Sequence, residues 1–258
     1  MKKIYLFLTA LLLTVAAGAQ TTIKGDVNGD GTVDIADVTE VVNIILNHDS
    51  DDDDNTTVTP GTPTTDSRAV DLGLPSGLKW ASCNVGATAP EEYGGYYAWG
   101  ETEEKSGYNW STYKYCNGSS NSLTKYCTSS SDGTVDNKTT LEASDDVATV
   151  KWGGNWRMPT RAEQQELINN CTWEWTTLNG VYGYRVTGPN GNSIFLPAAG
   201  CRSGTEVSYQ GSYGGYWSSS LGSSDGNSAC GLYFYGSYYD WYDYYRRFRG
   251  QAVRPVCP

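Results

Sequence analysis

Histidine is almost absent: His48 is the single one, and it falls in an acidic, Thr- and Pro-rich stretch. A nucleophile that works through imidazole needs that ring held by a folded core. The sequence offers none there, and it also lacks a histidine-containing zinc site or a CxxC pair for a thiolate site. No Gly-rich phosphate loop with its lysine leads into a helix. Positive charge is scarce too. Eighteen Lys plus Arg stand against 29 Asp plus Glu, for a net charge of −11, and no basic stripe suits a phosphate backbone, which argues against nucleic acid as a partner. Long apolar runs are missing beyond Ile4 to Ala17, which is too short to span a bilayer as a helix.

That one apolar run follows Lys2 and Lys3 and ends in Ala17-Gly18-Ala19. A charged start, an apolar stretch and small residues in that order read as a signal peptide over 1–19. The expected mature protein is therefore exported (secreted, periplasmic or on the cell surface) with no membrane span after cleavage. All seven cysteines, Cys83, Cys116, Cys127, Cys171, Cys201, Cys230 and Cys257, lie in the exported part. In an oxidising compartment they can form disulfides. An odd number leaves at least one free or joined to another chain. Cys116 with Cys127 is the easiest local loop to close.

The acidity is local. Residues 21–66 hold eleven acids against Lys24 alone, whereas 67–258 hold eighteen acids against fifteen Lys plus Arg. Within the acidic part, residues 25–47 form a small calcium-loop helical segment. Asp26, Asn28, Asp30, Thr32, Asp34 and Asp37 fall at loop positions 1, 3, 5, 7, 9 and 12, with Gly31 at the sharp turn. Thr32 gives its carbonyl. A hard cation taking six or seven oxygens, Ca2+, fits this spacing. Val38, Val41, Val42, Ile45 and Leu46 then recur on one helical face. With Asp at position 12 the segment resembles a type I dockerin repeat, which implies a cohesin-like partner, although a dockerin has two repeats and this chain has one. Residues 48–66, with Asp51 to Asp54 and a Thr/Pro tract, read as an extended spacer.

From residue 67 to 258 the composition turns to Gly, Ser, Tyr and Trp, and the length suits one domain with its own core. The class expected is α+β, strand- and loop-rich with one main helix. Thr160 and Glu163 make a capping box opening that helix, with Leu167 and Ile168 turned inward. Residues 180–187 and 193–196 flank Asn190-Gly191 as a hairpin. Further strands are expected over 232–235 and 252–256. Glu101, Glu103 and Glu104, after Trp99-Gly100, are the candidates for carboxylate catalysis of the glycosidase kind, which needs two acids; their setting in a Gly-rich loop favours surface charge.

Half of the chain's twenty tyrosines fall between Tyr209 and Tyr245. Leu232, Phe234 and Trp241 can take inward positions, which leaves many tyrosines outside any core. Tyrosine combines a large contact area with few rotors and one hydroxyl, and Tyr with Arg supplies binding hot spots. The candidate contact residues are Tyr233, Tyr235, Tyr238, Tyr239, Asp240, Tyr242, Asp243, Tyr244 and Arg246. Asp225 and Asn227 sit on a flanking loop. The ligand expected is an extracellular protein or glycan, bound without bond making or breaking.

Ala69 to Ala81 (AVDLGLPSGLKWA), Cys83 to Ala87, Tyr97-Ala98-Trp99-Gly100-Glu101, Trp156 to Thr160, Gly215 to Ser220 and Val253-Arg254-Pro255-Val256 together resemble the Fibrobacter succinogenes major paralogous domain. That resemblance implies a C-type lectin-like fold, similar to the variable proteins of diversity-generating retroelements, with diversity concentrated near the C-terminus, and a cysteine introduced by such diversification makes Cys230 the candidate for the unpaired thiol. Replacing Tyr238, Tyr239 and Tyr242 by Ala is expected to abolish ligand capture while leaving thermal unfolding nearly unchanged, as checked by a binding assay beside a melting curve.

Overall fold

The computed structural model describes Val33, residues 66–223 and residues 225–258. The chain divides into two units, Met1–Thr62 and Pro63–Pro258; the signal peptide, calcium loop and spacer lie outside the described residues, Val33 and Asp66 excepted. No described helix is long and apolar enough to cross a membrane.

The second unit is strand-rich α+β. Its strands are β1 (Ala69–Asp71), β2 (Lys79–Ala81), β3 (Thr172–Leu178), β4 (Val181–Thr187), β5 (Ser193–Pro197), β6 (Cys201–Ser203), β7 (Glu206–Ser208), β8 (Tyr213–Leu221), β9 (Ser228–Tyr235), β10 (Tyr238–Arg246) and β11 (Val256–Cys257). The helices are α1 (Val147–Trp152) and the longer α2 (Arg161–Asn170). Four small antiparallel sheets result, ordered β1-β2-β11, β3-β4-β5, β6-β7 and β8-β9-β10. The first sheet ties the start of this unit to its end.

Helix α2 begins as its sequence dictates. The Thr160 side chain accepts from the Glu163 amide, and Glu163 accepts in return from the Thr160 amide at 2.7 Å. It buries Gln164 and Leu167 against the β8-β9-β10 sheet. There Gln164 Nε2 donates to the carbonyls of Tyr216 and Trp217, both at 3.3 Å. The β4-β5 hairpin is also present, with Thr187 opposite Ser193 and Gly191 at φ +87. Its tip is pinned to β1, since Asn190 and Asn192 both donate to the Asp71 carbonyl at 2.9 and 2.8 Å.

Two expectations change. Of the 252–256 stretch only Val256 lies in a strand, β11, which runs on to Cys257. Pro255 has no amide to give to a ladder; its carbonyl accepts from Ala81, and Val253 bonds Val85 instead. A second helix, α1, also exists. Asp146 caps it by accepting from the Ala148 and Thr149 amides at 2.9 and 3.1 Å.

The core is aromatic rather than aliphatic. Trp80, Trp99, Trp217, Tyr108, Tyr126, Tyr216 and Phe234 are fully buried, and Trp156 nearly so. Trp152 is only half-buried, with the Arg68 guanidinium 4.2 Å from its ring. Burying such rings is most favourable where their polar tips find partners, and most of these do, Trp80 Nε1 excepted. Trp99 and Trp217 donate to the carbonyls of Ser218 and Tyr97, and the Tyr113 and Tyr216 hydroxyls to those of Trp99 and Pro197.

Two arginines are buried with these rings. Arg254 donates to Asn84 Oδ1 and to the carbonyls of Ala81 and Phe195; burial brings its guanidinium down to about 10. Arg247 donates to the Tyr113 hydroxyl and to the carbonyls of Tyr126, Gly226 and Lys125, at 2.7 to 3.0 Å. Replacing Arg247 by Met strands those acceptors, and each buried loss of this kind costs about 1–3 kcal/mol. Urea unfolding should therefore show at least about 3 kcal/mol of lost stability. Arg246→Met, which breaks the exposed pair with Asp225 and a long 3.5 Å bond to the Ser228 hydroxyl, should cost no more than about 1 kcal/mol.

Candidate binding face

The β8-β9-β10 meander has two faces with different chemistry. Register alone assigns them, because alternate residues point to opposite sides. Leu232, Phe234, Tyr216 and Tyr239 face inward. Phe234 is fully buried and lies edge-on to Tyr184 at 5.2 Å. Tyr239 stacks on Trp173, with centroids 4.6 Å apart and planes 12° off parallel. Trp241 is half-buried under the guanidinium of Arg161, 3.6 Å from the ring centre.

The other face carries tyrosines in mutual contact. Tyr233 lies 5.6 Å from Tyr238, 5.7 Å from Tyr242 and 6.3 Å from Tyr235. Tyr235 is 5.5 Å from Tyr238. Tyr242 in turn touches Tyr244 at 5.4 Å and Tyr245 at 4.9 Å. The Tyr245 hydroxyl is bonded to that of Tyr213, and Tyr213 packs 6.4 Å from Tyr209. A register shift between Tyr242 and Tyr245 makes this possible. The bulge turns Tyr245 onto the face beside Tyr242, which Tyr244 also meets. Gly231, opposite Tyr242, has no side chain to obstruct this; a Cβ there would sit 3.2 Å from the Tyr245 ring and 2.6 Å from the Tyr216 carbonyl.

Exposure follows from this arrangement. Tyr209 is 69% exposed, Tyr244 54%, Tyr235 51%, and Tyr238 and Tyr242 41% each. Tyr233 is half-buried by its neighbours. Burial pushes the hydroxyls of Tyr213, Tyr233 and Tyr245 well above the usual phenol range. Those hydroxyls thus stay neutral and act as donors and acceptors. Asp240 accepts from the Tyr238 hydroxyl at 3.1 Å and from the Trp241 amide at 2.8 Å, and so fixes the edge of the patch.

The expected contact set is therefore split. Tyr233, Tyr235, Tyr238, Asp240, Tyr242 and Tyr244 come together on the outward face. Two residues do not. Tyr239 belongs to the inner face through its stack on Trp173. Asp243 is buried, accepting from Cys230 Sγ and Ser223 Oγ, both at 2.5 Å, and facing Arg161 at 3.4 Å. Arg246 is exposed at the rim and pairs with Asp225 at 2.9 Å. Asn227 serves its loop, with its carbonyl accepting from the Arg247 amide at 3.1 Å.

The remaining expectations can be placed as well. All seven cysteines are free thiols. The local Cys116–Cys127 loop is not closed: Cys116 Sγ faces the Trp110 carbonyl at 3.0 Å, and Cys127 Sγ that of Ser129 at 3.1 Å. Burial pushes the Cys230 thiol up to about 12, and Asp243 adds to the shift. Glu101 accepts from Lys105 and from the Lys114 amide, both at 2.8 Å. Glu104 accepts from the Tyr96 amide, and Glu103 pairs with Lys151. Glu101 and Glu104 thus hold their loop in place, and Glu103 makes a surface ion pair. Among the described residues no group of three His, Cys, Asp or Glu is placed to hold a metal. The calcium ligands Asp26, Asn28, Asp30, Thr32, Asp34 and Asp37 lie outside those residues.

The structure adds Tyr209, Tyr213 and Arg249, which border a groove of about 540 Å3 beside Tyr235. The sequence signal for the first two was the tyrosine density that starts at Tyr209. For Arg249 there was none.

The chain is similar over residues 173–256 to a family described as a domain of unknown function (DUF8237). That span runs through all three strands of the meander and holds the whole tyrosine face. No curated protein and no solved structure matches the chain.

The division into faces revises the alanine experiment. Tyr239→Ala removes a stacked ring from between two layers and should cost about 2 kcal/mol or more. Tyr242→Ala should stay within about 0.5 kcal/mol of the wild type. Thermal melts of the two single variants read this directly.

Proposed function

We propose that this chain is an exported, non-catalytic binding protein that recognises an extracellular protein or glycan through the outward tyrosine face of its C-terminal domain. The observation that carries the reading is the patch itself. Eight tyrosines in the meander and the loop before it form one run of ring contacts, joined once through a pair of hydroxyls, on a sheet whose other side is consumed by the core. A contiguous exposed aromatic patch of this kind marks an interaction surface. Its rings are already immobilised by one another, so binding loses little side-chain entropy. Tyrosine faces also stack on pyranose rings.

The resemblance to the Fibrobacter succinogenes major paralogous domain supports a C-type lectin-like scaffold, in which the C-terminal strands carry recognition. The Tyr, Asp, Ser, Gly and Arg content of residues 222–249 fits a surface diversified by a retroelement.

A second reading rests on a separate observation, the oxygen-donor spacing of residues 26–37. There Ca2+ orders a dockerin-like segment, which joins the chain to a polysaccharide-degrading assembly through a cohesin-like partner. A glycan and protein array probed with the mature protein, with calcium and then with chelator, separates the two. Calcium-independent capture, lost in the Tyr238→Ala, Tyr242→Ala double variant, is the expected result. Capture that requires calcium and survives the double substitution moves the function to residues 26–46.

A further inference from the structure

The outward face runs on into the groove lined by Cys201, Tyr209, Ser212, Tyr213, Tyr235 and Arg249. Its volume of about 540 Å3 falls within the span of small-ligand sites, roughly 300–1,000 Å3. Its walls are mostly ring surface, and its charge is that of Arg249. Arg246 and Arg247 both have partners, one an acid and the other four neutral acceptors. Arg249 has none. Its Nε is buried without an acceptor, and among the described residues its side chain makes no hydrogen bond or ion pair. A half-buried guanidinium with free donors, between apolar walls that weaken solvent screening, is a poor arrangement for an empty protein and a good one for a bound anion.

We infer that this groove takes a carboxylated pyranose, a hexuronic-acid unit of an acidic glycan, with its carboxylate on Arg249 and its C–H face against the tyrosine rings. The inference rests on reading the tyrosine face as a binding surface and names the class of ligand. Guanidinium matches carboxylate with two parallel donors, and flat phenol rings match the apolar face of a sugar. An acidic peptide fits less well, because an extended backbone needs partners of its own. Beside the groove the free edge of β8 is already used: Gly200 donates to the Tyr213 carbonyl at 2.7 Å and Ala252 to that of Gly215 at 3.2 Å.

The test is calorimetric titration of the mature protein with three probes: a trisaccharide ending in a hexuronic acid, the same trisaccharide with that carboxyl reduced to the alcohol, and an acidic tetrapeptide. The uronate should bind about tenfold or more tighter than its reduced form, the size of a lost charge-assisted contact. Arg249→Gln should erase that difference, and Arg249→Lys should restore only part of it. The comparison of the two sugars on the wild type needs no variant, so it stands even if Arg249→Gln melts early. Equal affinity for the two sugars overturns the proposal, and so does tighter binding of the peptide. If both sugars bind equally and Tyr242→Ala abolishes both, the groove assignment fails while the tyrosine face stands. If Tyr242→Ala leaves uronate binding intact and Arg249→Gln removes it, the groove stands without the wider face.

Discussion

Arg247 carries a positive charge into a fully buried position, and among the described residues no carboxylate lies within ion-pair distance of it. The charge is dispersed instead over one phenol and three carbonyls from three separate stretches of chain, around residues 113, 125–126 and 226. Its guanidinium also lies 5.1 Å from the Trp99 ring and 5.3 Å from that of Tyr113. Desolvating such a group is tolerable only when its donors are met. One residue thereby fixes where β10 ends, how the loop before β9 is placed, and where the long irregular segment between β2 and α1 packs. Its neighbours inherit their positions from that anchor. Arg246 is turned out to the rim, and Arg249, two residues on, is left facing the groove.

The same logic governs the tyrosines: one face of the meander is committed to the core, and the other is buried beside Trp217 and open over β9 and β10. Aliphatic residues are few, so rings must fill the interior, and the hydroxyls of Tyr96, Tyr108, Tyr113 and Tyr216 each donate to a carbonyl. Those tyrosines do structural work. In β9 and β10 the alternation of the strand, shifted once by the bulge after Tyr242, sorts the remaining rings into a stack under the sheet and a patch on top of it. Tyr239 and Tyr238 are adjacent in sequence and have opposite roles. The patch rests on a rigid base: Phe234, Trp175, Tyr184 and Tyr239 interlock below it at centroid distances of 5.2 to 6.3 Å.

Much of this was legible in the residues, and the limits have physical causes. The capping box at Thr160 and Glu163 and the Asn190-Gly191 turn are local signals, and both elements formed as expected. Leu232 and Phe234 were read as inward because their chemistry left little choice. Helix α1 is one and a half turns long, holds β-branched Val147, Thr149 and Val150, and depends on the Asp146 cap, so its intrinsic propensity is weak. Strand β8 contains Gly214-Gly215 and Ser218 to Ser220, which are poor strand formers in isolation and are held by neighbours distant in sequence. The inward role of Tyr239 depends on its pairing opposite Phe234, and that of Asp243 on the bulge after Tyr242, and no window of sequence reveals either. Arg249 gave no signal because a missing partner is a property of three-dimensional packing.

The central claim is that recognition occurs on the outward face of β8-β9-β10 and the adjoining groove, over a scaffold that does not rearrange. Hydrogen exchange on the mature protein, free and saturated with a captured ligand, tests it most directly. The account predicts added protection confined to residues 233–246 and 209–213, with the amides of α2 and β3-β4-β5 unchanged. Protection confined to residues 26–46, or spread across the β3-β4-β5 sheet, would contradict it.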